Sequence, residues 1–156
     1  MGIKPMFESG AVAAKVMAFQ TNLYKATEFL LKYLGEELAK YAKDNHNYTD
    51  QTGNLTNSIG YAVVRNKEIV YCGGENQPGE GFQEALKVAQ KMAATADETF
   101  SLIIVAGMNY AAYVEAKGYN VILPAELKAK KDFPEAMNRL MEMARNKANE
   151  LFGTSL

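Results

Sequence analysis

The sequence is poor in the residues that usually hold small folds together by covalent or metal bonds. Its 156 residues contain one cysteine, Cys72, and one histidine, His46. A single thiol excludes an internal disulfide and fits a reducing compartment. One cysteine and one histidine also fall short of the usual ligand sets of zinc. We therefore predict a fold that depends on its hydrophobic core, with no metal and no cofactor.

The sequence also lacks an excess of charge and a long apolar run. Lysine and arginine number 17, and aspartate and glutamate 18, which gives a net charge of −1. This balance provides no overall attraction to nucleic acid or to acidic membranes. No apolar run approaches the roughly 20 residues of a membrane span, and Met1–Phe7 does not resemble a secretory signal. We expect no membrane association and no direct binding of nucleic acid.

The length and composition are those of one globular domain. Hydrophobic residues make up 48% of the chain and charged residues 22%, which is typical of folded proteins. A chain of this size buries about 70% of its unfolded surface. We predict a single domain over residues 1–156, with residues 75–97 as a possible inserted loop and helix.

Long helices are predicted at both ends of the chain. Apolar residues recur at helical spacing between Ala11 and Asn45. Asp132, Pro134 and Glu135 resemble an N-terminal capping box, which predicts that the last helix begins there. The predicted buried stripe of the first helix is Val16, Phe19, Leu23, Leu30, Leu34, Leu38 and Tyr41, and that of the last is Met137, Leu140, Met141, Ala144, Ala148 and Leu151.

The middle of the chain predicts a small sheet. Tyr61–Arg65 and Glu68–Cys72 are rich in valine, isoleucine and tyrosine, and Asn66-Lys67 between them predicts a tight hairpin. A surface helix is predicted over Phe82–Ala96, and the most apolar run, Phe100–Ala106, is predicted as a central strand. The expected fold is α+β, with a small antiparallel sheet packed against a long N-terminal helix and a C-terminal helix. A further short helix is predicted at Tyr110–Ala116 and a short strand at Tyr119–Ile122.

No catalytic motif is recognisable. A Ser-His-Asp arrangement would need Ser58, His46 and Asp50, but the sequence has no nucleophile elbow around Ser58. The glycines at 73–74 and 79–81 do not form a phosphate-binding loop, since the Lys-Ser/Thr step is missing. We predict that the chain is not an enzyme. A module that contacts nucleic acid and a small enzyme with an unrecognised site remain the alternatives.

Two segments, in this order, point to a known family. Residues 50–59, Asp-Gln-Thr-Gly-Asn-Leu-Thr-Asn-Ser-Ile, follow the long helix, and residues 109–118, Asn-Tyr-Ala-Ala-Tyr-Val-Glu-Ala-Lys-Gly, follow the apolar strand. This order resembles the tail-completion or head–tail joining proteins, small tail components of long-tailed bacteriophages that prophages also encode. The resemblance depends on nine positions and implies that they are structural or interface residues. They are Thr52, Gly53, Asn54, Leu55, Ser58, Tyr110, Tyr113, Glu115 and Gly118.

The resemblance implies structural work rather than catalysis. It predicts assembly with the portal or connector and with the tail tube, a homo-oligomeric ring, and a location in the virion, or in the bacterial cytoplasm during assembly. The sequence departs from the family pattern at Thr56, where a basic residue is usual, and within residues 119–125, where only the apolar step and Pro124-Ala125 are kept. The insertion at residues 75–97 is a third departure.

Overall fold

The computed structural model describes residues 9–47, 56, 58–74, 80–107 and 121–153. These residues form two compact units: the sheet unit, Leu31–Phe133, and the helical unit, which combines residues 9–30 with residues 134–153. The α+β class predicted from the sequence is confirmed. In chain order, the elements of the described residues are α1 (Ser9–Asp44), β1 (Ile59–Arg65), β2 (Glu68–Gly73), α2 (Glu80–Ala94), β3 (Phe100–Ala106) and α3 (Leu123–Phe152).

The sheet has the strand order β2-β1-β3, and both pairs are antiparallel. The central strand is β1, in which Tyr61 lies opposite Gly73 on one side and Ile104 on the other. The prediction that Phe100–Ala106 is central was wrong, because in the described sheet β3 pairs on one side only. The strand β3 is apolar because other elements pack on its faces. Burial of the faces does not decide whether a strand lies at the centre or at the edge of a sheet.

A tight turn joins β1 to β2, as predicted. Both central residues have positive φ, 52° at Asn66 and 68° at Lys67. Two successive residues in this region are the mark of a type I′ turn, whose twist matches that of the flanking strands. The register shifts between Val63 and Val64, which is the irregularity expected of a β-bulge.

The two faces of the central strand contribute to two separate cores. Ile59, Tyr61 and Val63 pack with the second half of α1 and with the residues around the start of α3. Ala62 and Val64 face the opposite way and pack against α2. The contacting residues of α2 are Ala85, Ala89 and Ala93. The helix α2, which lies in the segment predicted as a possible insertion, therefore covers a face of the sheet and is part of the core.

The last helix begins earlier than predicted. It starts at Leu123 and continues through Pro134, so the predicted start at Asp132 was wrong. Two flanking side chains, Val121 and Ala125, are each 1% exposed, and their burial holds the first turn on the sheet. Instead of capping a helix end, the Asp132 carboxylate accepts a hydrogen bond from Lys128 one turn earlier.

The short strand predicted at residues 119–122 is not observed in its described part. Val121 and Ile122 form a bend, while Tyr119 and Asn120 lie outside the described residues, as does the helix predicted at 110–116.

The turn between β1 and β2 allows a direct test of backbone strain. Lysine is disfavoured at positive φ, whereas glycine adopts it without steric cost. We expect Lys67→Gly to raise the free energy of unfolding by about 0.5–1 kcal/mol, measured by urea denaturation. Lys67→Ala is the control, since alanine keeps the strain and should give no such gain. Equal effects of the two substitutions would contradict the assignment of the turn.

Candidate assembly surfaces

Tyr61 joins the central strand to α1. Its side chain is 3% exposed, and its hydroxyl donates a hydrogen bond of 2.8 Å to Oε1 of Glu36. Burial raises the pKa of Tyr61 above its ordinary value of 10.0, and the bond to the Glu36 carboxylate raises it further. The hydroxyl therefore remains a donor, and the pair attaches α1 to the sheet by both packing and hydrogen bonding.

The Tyr61 ring lies against glycines that leave room for it. A Cβ atom at Gly35 would lie 2.3 Å from Cδ2 of Tyr61, and one at Gly73 would lie 2.8 Å from its hydroxyl oxygen. Neither distance is compatible with a side chain at these positions. Gly35 is unfavourable for an isolated helix, and the structure shows why it is present: it forms a notch that receives the tyrosine.

A second tyrosine extends this packing to the surface. The rings of Tyr61 and Tyr71 have centroids 6.0 Å apart, within the range of favourable aromatic pairs. Lys32 Nζ lies 4.4 Å from the centroid of the Tyr71 ring, a cation–π distance. Tyr71 is 39% exposed, so this corner of the sheet unit presents an aromatic ring and a cation to solvent.

A charged cleft of about 550 Å³ lies beside the Tyr61–Glu36 pair. It carries side chains of both signs, and most of them come from α1. Its described lining residues are Glu36, Glu37, Lys40, Lys43, Asp44, Thr56 and Gly74. Among the described residues, no three His, Cys, Asp or Glu side chains are placed to hold a metal ion. The cleft offers hydrogen-bonding and charged groups to a polar partner surface.

A groove of about 500 Å³, which we call the apolar groove after its exposed leucines, lies where α3 begins. Its described lining residues are Tyr41, Asn45, Leu123, Pro124, Leu127, Lys128, Lys131 and Asp132. Leu127 is 58% exposed, Leu123 42% and Tyr41 39%. Lys128 Nζ lies 5.5 Å from the Tyr41 ring centroid, and its bond to Asp132 raises the pKa of its ammonium group. Exposed apolar side chains and charged side chains thus line the apolar groove together.

Sequence reasoning missed the apolar groove. Leu123 and Leu127 are spaced by one helical turn, which is a usable signal. The signal was lost because the capping pattern at Asp132 placed the start of the helix after both residues.

Of the residues that the family resemblance marks, the structure describes Ser58. Ser58 is 1% exposed, and its hydroxyl oxygen accepts a hydrogen bond of 3.1 Å from the Gly107 N–H. The bond ties the residue before β1 to the end of β3, which gives Ser58 a structural role. The others lie outside the described residues: Thr52, Gly53, Asn54, Leu55, Tyr110, Tyr113, Glu115 and Gly118.

Comparison of the chain with protein-family models, curated proteins and solved structures finds no match. Across the described residues, no helix has the length and apolar character needed to cross a membrane.

Because of the notch at Gly35, replacing this glycine by alanine should destabilise the protein, although the same replacement normally stabilises a helix. Replacing glycine by alanine inside a helix normally stabilises it by about 1 kcal/mol. We expect Gly35→Ala to destabilise the fold by about 1–3 kcal/mol instead, because the new methyl group overlaps the Tyr61 ring. Gly10→Ala in the same helix is the control, since a Cβ atom there meets nothing within 4 Å. The stability of both variants is measured by thermal unfolding. If Gly35→Ala were more stable than the wild type, Gly35 would not be the notch that receives Tyr61.

The raised pKa of Tyr61 predicts a pH dependence of stability. The pKa of Tyr61 is higher in the folded than in the unfolded chain. The stabilisation that the protonated Tyr61 hydroxyl gives to the fold is therefore complete below about pH 10 and is lost as the pH rises further. Tyr61→Phe removes the hydrogen bond and should cost about 1–2 kcal/mol at pH 7. The difference in the free energy of unfolding between the wild type and Tyr61→Phe, measured by urea denaturation, should shrink above pH 10. If that difference in free energy did not change with pH, the titration of Tyr61 would not be coupled to folding and the prediction would be wrong.

Proposed function

We propose that this chain is a structural protein of the head–tail junction, or of tail completion, in a long-tailed bacteriophage or prophage. It acts by protein–protein assembly, meets the portal or connector and the tail tube, and forms a homo-oligomeric ring. Its place is the virion, or the bacterial cytoplasm during assembly. The order of the two segments around Thr52-Gly53-Asn54-Leu55 and Tyr110–Gly118 supports the family, and the surface of the sheet unit supports the mode of action.

The observation that carries the proposal is the exposure of large apolar side chains in the apolar groove. Leu123 and Leu127 stand on adjacent turns of one helix face, next to Tyr41. Scattered apolar residues are normal on a monomer, but a contiguous group bordered by polar residues is typical of a protein–protein contact. Tyrosine contributes apolar area together with a hydroxyl and is enriched at such contacts.

The charged side chains of the apolar groove add specificity to this contact. Lys128, Lys131 and Asp132 line the groove together with the leucines. Charges at the rim of an interface contribute more to orientation and association rate than to affinity. We therefore expect the apolar side chains of the groove to provide the affinity for a partner and the charged side chains to orient it.

The test is binding to purified portal and tail-tube proteins of the same phage, measured by interferometry. We expect Leu127→Glu to weaken binding by at least tenfold, because it replaces the most exposed leucine of the apolar groove by a carboxylate. Lys130→Gln is the matched control: it changes the net charge by the same amount on the same helix, at a residue that does not line the apolar groove. The control should bind like the wild type.

Two results would count against this function. A wild-type chain that binds neither partner would remove the proposal. Equal binding by Leu127→Glu and the wild type would remove the observation that carries the proposal.

A further inference from the structure

The outward-facing backbone groups of β3 can be located from two hydrogen bonds. Within the described residues, β3 pairs with β1 alone. At one end of this pair the Asn66 N–H donates to the Thr99 carbonyl, and at the other the Gly107 N–H donates to the Ser58 carbonyl. The register between these ends is unbroken, and hydrogen-bonded and non-hydrogen-bonded positions alternate along an antiparallel pair. The backbone groups that point away from β1 therefore belong to residues 100, 102, 104 and 106.

This outer edge lacks the sequence features that keep natural edge strands from pairing. Such edges are usually blunted by charged side chains, by proline or by a bulge. The strand β3 reads Phe-Ser-Leu-Ile-Ile-Val-Ala, without charge, proline or glycine. The strand β2, at the opposite edge, begins with Glu68, and its pairing with β1 contains the register shift of a bulge. The described sheet thus has one blunted edge and one edge that can accept a strand.

Two exposed apolar side chains of α2 lie on the side of the helix that faces this edge. Leu86 lines a small cavity together with two residues of β2, so its flank of α2 lies toward β2. Val88 and Met92 border the buried alanines of α2 on the other flank, since they lie well over 100° from Leu86 around the helix. They are 39% and 49% exposed. A strand added to β3 would lie beside them and cover them.

We propose that the outer edge of β3 pairs with β3 of a second copy of this chain, antiparallel and about a two-fold axis at Ile103. In this register Leu102 of each copy lies opposite Ile104 of the other, and Phe100 lies opposite Ala106. Every outward N–H and C=O group of one copy then meets an outward group of the other. The two three-stranded sheets become one continuous sheet.

The chemistry of the edge favours a second β3 as its occupant. The added strand must be extended and uncharged, and its side chains must pack beside Val88 and Met92. The strand β3 meets these conditions itself, because it is already extended and carries no charge. The pairing places aliphatic residues opposite each other, Leu102 with Ile104 and Ile103 with Ile103, and such cross-strand pairs stabilise a sheet. No like charges come to lie opposite each other.

The contact closes with two copies. Both copies use the same patch, as in other two-fold interfaces, and the edge that remains at β2 is the blunted one. The pairing goes beyond the proposed function, because it gives no part to the apolar groove and differs from the head-to-tail contacts that would close a ring.

Amide hydrogen exchange of the full wild-type chain tests the pairing directly. The amides of Leu102 and Ile104 point outward, whereas those of Ile103 and Val105 are bonded to β1 within one copy. We measure exchange by NMR and particle mass by light scattering over the same range of protein concentrations. We expect Leu102 and Ile104 to become protected as the mass rises to that of a dimer, while Ile103 and Val105 are protected throughout.

Three results of this experiment would overturn the inference. The first is fast exchange of Leu102 and Ile104 in a particle of any mass. The second is their protection in a particle of monomeric mass, since the chain would then cover its own edge. The third is protection that appears only when purified portal or tail-tube protein is added, since the occupant would then be a different protein.

A proline at the outer edge provides a second test. Ala106→Pro removes an outward N–H and leaves the hydrogen bonds to β1 in place, and proline is tolerated at such positions of edge strands. We expect it to weaken self-association by about tenfold or more, because the prolyl ring also obstructs the incoming strand. Ala106→Val is the matched control, since it keeps the N–H and should associate like the wild type. Equal association of the two variants would contradict the pairing.

A charge on α2 tests the side-chain part of the contact. Met92→Lys places an ammonium group beside the added strand and should weaken self-association by about threefold or more. Gln90→Lys adds the same charge at an exposed position on the Leu86 flank of α2 and should have no effect. If the two lysines weakened association equally, α2 would not border the contact and the inference would be wrong.

Discussion

The packing of Tyr61 against Gly35 is the constraint on which the sheet unit depends. The ring fills a notch that a single methyl group on α1 would close, and its hydroxyl is satisfied by Glu36. A buried hydroxyl without a partner would cost free energy, so the hydrogen bond and the notch are required together. This packing brings α1 close to the central strand, and both the charged cleft and the apolar groove are lined in part by α1.

The burial of β1 on both faces explains the arrangement around it. Val63 and Val64 are each fully buried, although they are neighbours on a strand and face opposite ways. Two layers of helix are therefore needed, and α2 provides one of them. The close approach of α2 is visible at Gly107, where a Cβ atom would lie 2.0 Å from the Ala85 amide nitrogen. The helix that the sequence predicts as a possible insertion is thus required by the packing of the sheet.

The candidate assembly surfaces differ in chemistry, which suits them to different partners. The apolar groove combines Leu123 and Leu127 with charged side chains, which favours an oriented contact with another protein. The charged cleft carries side chains of both signs, most of them from α1, which favours a polar partner surface. Under the proposed function this separation serves two unlike neighbours, because one surface optimised for both would discriminate poorly between them.

The sequence by itself determined the elements whose signals are local. The hairpin follows from the strand residues around Asn66-Lys67, and the long first helix follows from the spacing of Leu34 and Leu38, because these patterns depend on neighbours along the chain. Only the tertiary structure decided that β1 is central, that α3 begins at Leu123 rather than Asp132, and that Gly35 receives a tyrosine ring. Each of these depends on contacts between residues distant in sequence. Local propensity contains no information about strand order or about the partner of Gly35, and at α3 it offers two competing starts, between which the burial of Val121 and Ala125 decides.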